Sequence, residues 1–201
     1  MTEMNETMGG PPVGSTTTGV VTYEATAPGQ RNRLTVAFRM ILAIPHSIVS
    51  GVWSYLASAI ALIQWFIIVF TGKRNESMWR MQQSWFEYYG RVLGYTSLLF
   101  DVYPPFGTEV GEVPVRTTIA YAESANRLTT GLRFLWIIPA AIVGLIVGIG
   151  LSVVLVISWF AIVITGRQPE GMWAFVHKAV QYSQRLQAYA LLMTDTYPSF
   201  S

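Results

Sequence analysis

Residues 134–166 read FLWIIPAAIVGLIVGIGLSVVLVISWFAIVITG, a run of 33 residues without a charged side chain. The run lies between Arg133 and Arg167. About 18 or more consecutive apolar residues are typical of a helix in a membrane. Residues 40–72 (MILAIPHSIVSGVWSYLASAIALIQWFIIVFTG) form a second uncharged run of the same length, between Arg39 and Lys73. The two runs predict a membrane protein that is mostly α-helical.

The two runs belong to one unit that occurs twice. A shift of 94 residues places residues 31–106 on residues 125–200, and 28 of the 76 aligned positions are identical without a gap. We therefore divide the chain into a disordered or extended tail (1–30), a first membrane repeat (31–106), a linker (107–124) and a second membrane repeat (125–201). Residues 1–30 lack the basic and apolar regions of a cleavable signal peptide. The composition of residues 1–18 predicts that this part of the tail is disordered.

Composition narrows the class of protein. Charged residues make up 12% of the chain and hydrophobic residues 52%, whereas about a quarter of the residues in a soluble domain are charged. The chain has no cysteine, which excludes disulfides and thiolate metal sites. Its basic residues stand beside the apolar runs, where anionic lipid headgroups would lie. No separate basic block favours nucleic acid as a partner.

Each apolar run fits a bilayer in two ways. A helix of 33 residues is about 50 Å long, against a hydrocarbon core of about 30 Å, so a single span starting near Pro45 needs a steep tilt. A helical hairpin, with turns at Ser50-Gly51 and within residues 144–150, brings both basic ends to one side of the membrane. We favour the hairpin, with the single long span as the alternative, so two or four crossings are possible.

A second helix is predicted after each run, over residues 77–99 and 171–193. One face carries apolar side chains and the other carries polar ones, which is typical of a helix lying in the headgroup layer. The alternative is a helix packed on its twin. Residues 20–26 and 115–122 have the composition of short β-strands that could pair with each other.

Residues at the ends of the runs are candidates for anchoring the chain at lipid headgroups. Arginine either snorkels to the interface or binds lipid phosphate, and tryptophan prefers the membrane–water boundary. The candidates are Arg39, Arg133, Lys73, Arg167, Trp65, Trp159, Trp79 and Trp173.

A second set of repeated residues is expected to shape the backbone. The prolines of the runs would break or start a helix, the glycines would cap a helix, and each aspartate would pair with the arginine ten residues before it or cap a turn. This set consists of Pro45, Pro139, Gly72, Gly166, Arg91, Arg185, Asp101, Asp195, Tyr103, Tyr197, Pro104 and Pro198.

The order of these motifs resembles a known family. In both halves Arg-Leu, a further arginine and Ile-Pro precede Trp-Phe, Thr-Gly and a closing Asp-x-Tyr-Pro-x-Phe. This order is similar to the bacterial membrane family named domain of unknown function 4389, over nearly all of residues 31–200. The resemblance implies membrane residence in tandem units and no particular activity. One departure is that residues 72–75 read GKRN where residues 166–169 read GRQP.

The sequence favours a non-enzymatic accessory or scaffold protein of a larger inner-membrane complex. We find no catalytic motif, metal cluster or cofactor fingerprint, and therefore assign no catalytic residue, no metal and no cofactor. The expected partners are anionic lipids and other membrane subunits, and the expected location is the inner (cytoplasmic) membrane as a multi-pass protein. One alternative is a lipid or small-solute transport component, because tandem repeats can enclose a groove. Another is a membrane-shaping hairpin protein.

Overall fold

The structure is a computed structural model that describes residues 21–27, 29–109, 111 and 113–200. The predicted disordered tail lies outside these residues. The described part is mostly helical with one small sheet, as predicted. Its elements are β1 (Val21–Ala25), α1 (Arg33–Ala37), α2 (Arg39–Thr71), α3 (Glu76–Thr96), β2 (Val115–Ile119), α4 (Arg127–Gly131), α5 (Arg133–Thr165) and α6 (Glu170–Ala190).

Each apolar run forms one continuous helix of 33 residues, α2 or α5. The predicted hairpin is therefore wrong, and the alternative of one long helix is observed. Two of the glycines expected at the second turn are instead sites of close packing, whereas Gly51 faces open space. A Cβ at Gly144 would lie 2.8 Å from Leu186, and one at Gly150 would lie 3.2 Å from Phe175, both on α6. Both α2 and α5 are long and apolar enough to cross a membrane, judged by length and composition alone.

The helix ends follow local sequence signals. The side chain of Asn32 accepts hydrogen bonds from two backbone N–H groups at the start of α1, and Asn126 does the same for α4. Gly72 and Gly166 end α2 and α5 in the left-handed conformation at φ 74°, so the predicted caps are confirmed.

The prolines do not break the helices. Pro45 and Pro139 lie inside α2 and α5, at the seventh helical residue of each. The prediction that they break or start a helix is therefore wrong. A proline removes one backbone hydrogen bond, and the remaining turns of these long helices keep theirs.

Helix α3 runs back along α2, and α6 runs back along α5. Residues late in α2 therefore meet residues early in α3, and residues early in α2 meet residues late in α3. Four hydrogen bonds mark this antiparallel alignment: Gln64 with Asn75, Gln82 with Ala57, Trp85 with Ser50 and His46 with Tyr88. Helix α3 is covered by α2, β2 and α6 and therefore does not lie free in headgroups. It packs on its twin α6 less extensively than on α2 or β2, so the alternative of a helix packed on its twin describes only part of its surroundings.

The two strands pair antiparallel, as the sequence suggested, and their register shows the symmetry of the molecule. Tyr23 is the partner of Thr117 at the centre of the sheet, and these two residues are equivalent under the 94-residue shift. Gly90 and Gln184 are also equivalent, and they face each other where α3 meets α6. A pseudo-twofold axis therefore runs from the sheet, between α3 and α6, towards α2 and α5.

The halves exchange their first segments. Helix α1 of the first half packs on α5 of the second, and α4 of the second packs on α2 of the first. The backbone N–H of Arg31 donates to Gly166 O at 3.0 Å, and that of Ala125 donates to Gly72 O at 2.9 Å. Each half therefore begins at the far end of the other half's long helix, so α2 and α5 point in opposite directions.

Candidate functional site

An arginine–aspartate cluster lies at the start of α2. The guanidinium of Arg39 is buried and forms an ion pair with Asp101 at 2.6 Å. It also donates to the carbonyls of Tyr95 and Phe100, at 3.0 and 2.9 Å. The ring of Tyr95 lies 4.4 Å from its central carbon. Arg39 thus joins the beginning of α2 to the end of α3, and its predicted contact with lipid headgroups is replaced by an internal ion pair.

A second buried arginine completes this cluster and is the first residue of the first repeat. Arg31 lies 2.8 Å from Asp101 and donates to the carbonyl of Leu98 at 3.0 Å. It also donates to the side-chain oxygen of Gln168 at 2.9 Å. Gln168 belongs to the other half of the chain, so the cluster joins the two halves.

The equivalent cluster at the start of α5 is built differently. Arg133 pairs with Asp195 at 2.7 Å and lies 3.9 Å from the ring centre of Tyr189. The second arginine here is Arg74, which lies 2.8 Å from Asp195 and donates to Leu192 O at 2.8 Å. Arg74 stands in the turn after α2 and so also reaches across the two halves. Its backbone position corresponds to that of Gln168.

The two aspartates therefore pair with residues other than those predicted. The expected partners, Arg91 and Arg185, donate instead to the carbonyls of Gly107 and Ser199, at 2.7 and 2.9 Å. The aspartates also do not converge on one site. Asp101 contacts Arg39, the first residue of α2. Asp195 contacts Arg74, which follows the last residue of α2. The two aspartates therefore lie about 50 Å apart along that helix.

Both clusters enclose a strained backbone position. Leu98 and Leu192 are equivalent residues in the left-handed region, at φ 60° and 61°, which non-glycine residues rarely adopt. Each presents its carbonyl to the second arginine of its cluster. A guanidinium also suits the negative end of the helix dipole at the end of α3 or α6.

Within the clusters, burial and neighbouring charges shift the pKa values of the side chains in opposite directions. Burial alone would raise the pKa of Asp101, but hydrogen bonds and charge from Arg31, together with Asn32 N–H and Arg39, hold that pKa below its usual value. Burial lowers the pKa of Arg74, and the charge of Asp195 opposes this shift. Both carboxylates are engaged by arginines and by a backbone N–H group.

The predicted interfacial tryptophans also link the halves. The indole N–H of Trp159 donates to Val36 O at 3.1 Å, and that of Trp65 donates to Thr130 O at 2.9 Å. Trp79 and Trp173 donate to Met193 O and Leu99 O, both at 3.1 Å. All four contacts cross from one half to the other, so these side chains are partly or fully buried between halves.

The remaining predicted residues lie at the edges of the clusters. Tyr103 and Tyr197 are partly exposed and pack edge-on against Tyr95 and Tyr189, at ring distances of 5.7 and 5.5 Å. Pro104 and Pro198 are buried. Lys73 is exposed and pairs with Glu123 at 2.8 Å, and Arg167 is exposed. These two basic side chains are the members of the anchoring set that remain on the surface.

The sequence reasoning missed Arg31, Arg74 and Gln168. The signal was present as departures from the repeat: Arg31 aligns with Ala125, and Arg74 aligns with Gln168. The first half carries both arginines and the second half carries neither. Each cluster still receives one of them, because each cluster combines a position from both halves.

The surface of the long helices is apolar. Of 37 exposed large hydrophobic side chains in the described residues, 27 lie on α2 and α5 and one, Met81, lies on α3. The exposed sheet face carries Thr22, Glu24, Arg116 and Thr118. The molecule therefore has an apolar face formed by α2 and α5 and a polar face around the sheet.

A cavity of about 390 Å³ opens between the halves. Its wall is mostly apolar and includes Arg39 and Trp159, while Arg133 lies at the other end of the molecule. The lining residues are Arg39, Met40, Thr96, Leu98, Ser152, Leu155, Val156 and Trp159.

Comparison with known families matches both halves. The profile of the family described as "Domain of unknown function (DUF4389)" matches residues 33–107 and 127–201, which confirms the tandem duplication. No curated protein and no solved structure matches the chain.

Proposed function

Because the chain belongs to the family of domain of unknown function 4389 through two tandem copies, we propose that it is a non-enzymatic accessory or scaffold protein of a membrane complex. The observation that carries this proposal is the division of its surface into one apolar and one polar face. An apolar face of this extent favours contact with lipid, and the polar face is left for a protein partner.

The internal roles of the charged residues support a structural function. The four buried arginines of the clusters are Arg31, Arg39, Arg74 and Arg133, and each binds an aspartate and backbone carbonyls of this chain. Such groups fix the shape of a molecule. We expect the location to be the inner membrane and the partners to be anionic lipids and other membrane subunits.

Isolation in mild detergent, followed by cross-linking and identification of partners, tests this proposal. We expect the chain to copurify with a defined partner. Replacing Glu24 and Arg116 on the polar face by alanine should release that partner. Arg80→Ala, which removes only an exposed ion pair with Glu76, is the matched control. A chain that always runs alone and forms no cross-link would contradict a scaffold role.

The cavity favours a second candidate function, a lipid or small-solute transport component. Its apolar wall and its one arginine, Arg39, suit an acyl chain with a polar end. Leu155→Trp would fill the cavity and should abolish lipid retention, measured by native mass spectrometry of the protein in detergent. Val52→Trp, on the exposed face of α2, is the control. Equal lipid retention by the wild type and Leu155→Trp would argue against this candidate.

A further inference from the structure

The position of α3 and α6 limits how the long helices can meet a membrane. Helix α6 runs beside most of α5. At one end Arg133 lies over the ring of Tyr189, and at the other end Ser158 contacts Met172. A membrane crossed by α5 would therefore also contain most of α6. Lys178, which is exposed, lies near the middle of α6. It would then stand near the centre of the bilayer, where charged side chains are rare and unfavourable.

The sheet would enter the bilayer as well. The side chain of Gln181, in the middle of α6, donates to Tyr23 O at 2.9 Å, so β1 lies at the same level along the helix. The neighbouring pair Glu24 and Arg116 is exposed on the outer face of this sheet. A crossing orientation would place this pair beside the hydrocarbon, together with two sheet edges that lipid cannot hydrogen-bond.

The pseudo-twofold axis offers an orientation without this conflict. The axis runs from Tyr23 and Thr117 in the sheet towards α2 and α5. If the axis stands along the membrane normal, both long helices lie parallel to the membrane plane with their apolar face towards the lipid. The sheet then faces water, and both halves meet the same environment.

Basic side chains are placed to match this orientation. Exposed Arg33 and Arg167 lie together at one end of the pair of long helices, because Arg33 packs beside Gly166. Exposed Lys73 and Arg127 lie together at the other end, where Arg127 donates to Thr71 O at 2.9 Å. Both ends of the apolar face therefore carry the positive charge that anionic headgroups attract.

We infer that α2 and α5 lie in the same leaflet of a phospholipid bilayer, with α3, α6 and the sheet on the same aqueous side, so that the chain does not cross the membrane. The partner of the apolar face is thus a lipid leaflet with anionic headgroups. This inference rests on the membrane association in the proposed function and adds an orientation to it.

Cysteine labelling tests the orientation, because the chain contains no cysteine. Ser77→Cys and Gly171→Cys are equivalent positions under the 94-residue shift, both are exposed, and a Cβ at Gly171 meets nothing within 4 Å. They lie at opposite ends of the long helices. We expect a membrane-impermeant maleimide to label both in one orientation of membrane vesicles and neither in the opposite orientation. Arg116→Cys should label from that same side, and Val52→Cys should stay unlabelled until detergent is added.

Each other result has a distinct meaning. Labelling of Ser77→Cys and Gly171→Cys from opposite sides would overturn the one-leaflet orientation and leave the scaffold proposal standing. Recovery of the full chain in the soluble fraction, without detergent, would overturn the membrane association on which both rest. Labelling of all variants after detergent confirms that each variant contains a reactive thiol, and a wild-type elution volume on size exclusion confirms that it is folded.

Discussion

Arg31 and Arg74 occupy equivalent places in the two halves although they are not equivalent in sequence. Arg31 binds Asp101 and the carbonyl of Leu98, and Arg74 binds Asp195 and the carbonyl of Leu192. The first arginine begins its own half, while the second lies in the turn after α2 and reaches across to the other half. The same buried cluster is thus built from two different chain positions.

This relationship predicts that a second substitution can restore the stability lost when Arg31 is removed. Arg31→Ala should destabilise the protein by about 3 kcal/mol, because it leaves part of a buried ion pair without its partner. Adding Gln168→Arg should restore most of that loss, since it gives the first cluster the composition of the second. Denaturant unfolding in detergent measures both changes. Additive effects of the two substitutions would contradict the equivalence.

The tryptophan contacts between halves predict a second effect. Trp159→Phe removes the donor to the carbonyl of Val36, a residue that is fully buried. Because Phe38 N–H also bonds this carbonyl, only one hydrogen bond is lost, which costs about 0.5–1.5 kcal/mol. Thermal unfolding should therefore occur at a lower temperature. Trp136→Phe is the matched control on the same helix, because its side chain is half exposed. Equal effects of the two substitutions would contradict the contact.

The packing of α3 against the sheet and its neighbouring loop predicts a third effect. A Cβ at Gly94 would collide with the hydroxyl of Tyr23 and lie 2.7 Å from Phe100. Gly94→Ala should therefore destabilise the protein by about 1–3 kcal/mol and displace the hydroxyl of Tyr23 from Gly90 O. Gly51→Ala, where a Cβ meets nothing within 4 Å, should be neutral or stabilising by up to about 1 kcal/mol. A tolerated Gly94→Ala would show that this approach is looser than described.

Acid should weaken the first cluster. The pKa of Asp101 is lower in the folded state than its ordinary value of 3.8. Its stabilising contribution is therefore complete above about pH 4 and is lost as the pH falls through the folded-state pKa. Asp101→Asn should lower the free energy of unfolding at pH 7 and reduce its decline below pH 4. Glu76→Gln, which breaks only an exposed pair, is the control, and an unchanged acid profile in Asp101→Asn would contradict the assignment.

The sequence was sufficient for the repeat, the helical nature of the apolar runs, the glycine caps and the pairing of the strands, because each has a local or periodic signal. It was misleading about the hairpin, since Ser50, Gly51 and Gly144 read equally well as turn residues or as sites of close helix packing. The antiparallel alignment of α2 with α3 is needed before Arg39 can be matched with Asp101.

The contacts between halves could not be predicted for a reason that lies in the duplication. Trp65 and Trp159 are identical residues in equivalent places, and so are the segments that receive their hydrogen bonds. A contact within one half and a contact between halves therefore have the same sequence pattern. Only the unmatched positions, Arg31 and Arg74, break this ambiguity.

The orientation of the long helices is the central claim, and its energetic reason is simple. Exposed Lys178 and Arg116 would each cost about 2.5–3.5 kcal/mol or more near the bilayer centre, and the orientation along one leaflet avoids this cost. Polarised infrared spectroscopy of the full chain in aligned bilayers measures the mean tilt of its helices from the membrane normal. We predict helix axes close to the membrane plane. Helix axes close to the membrane normal would contradict the account.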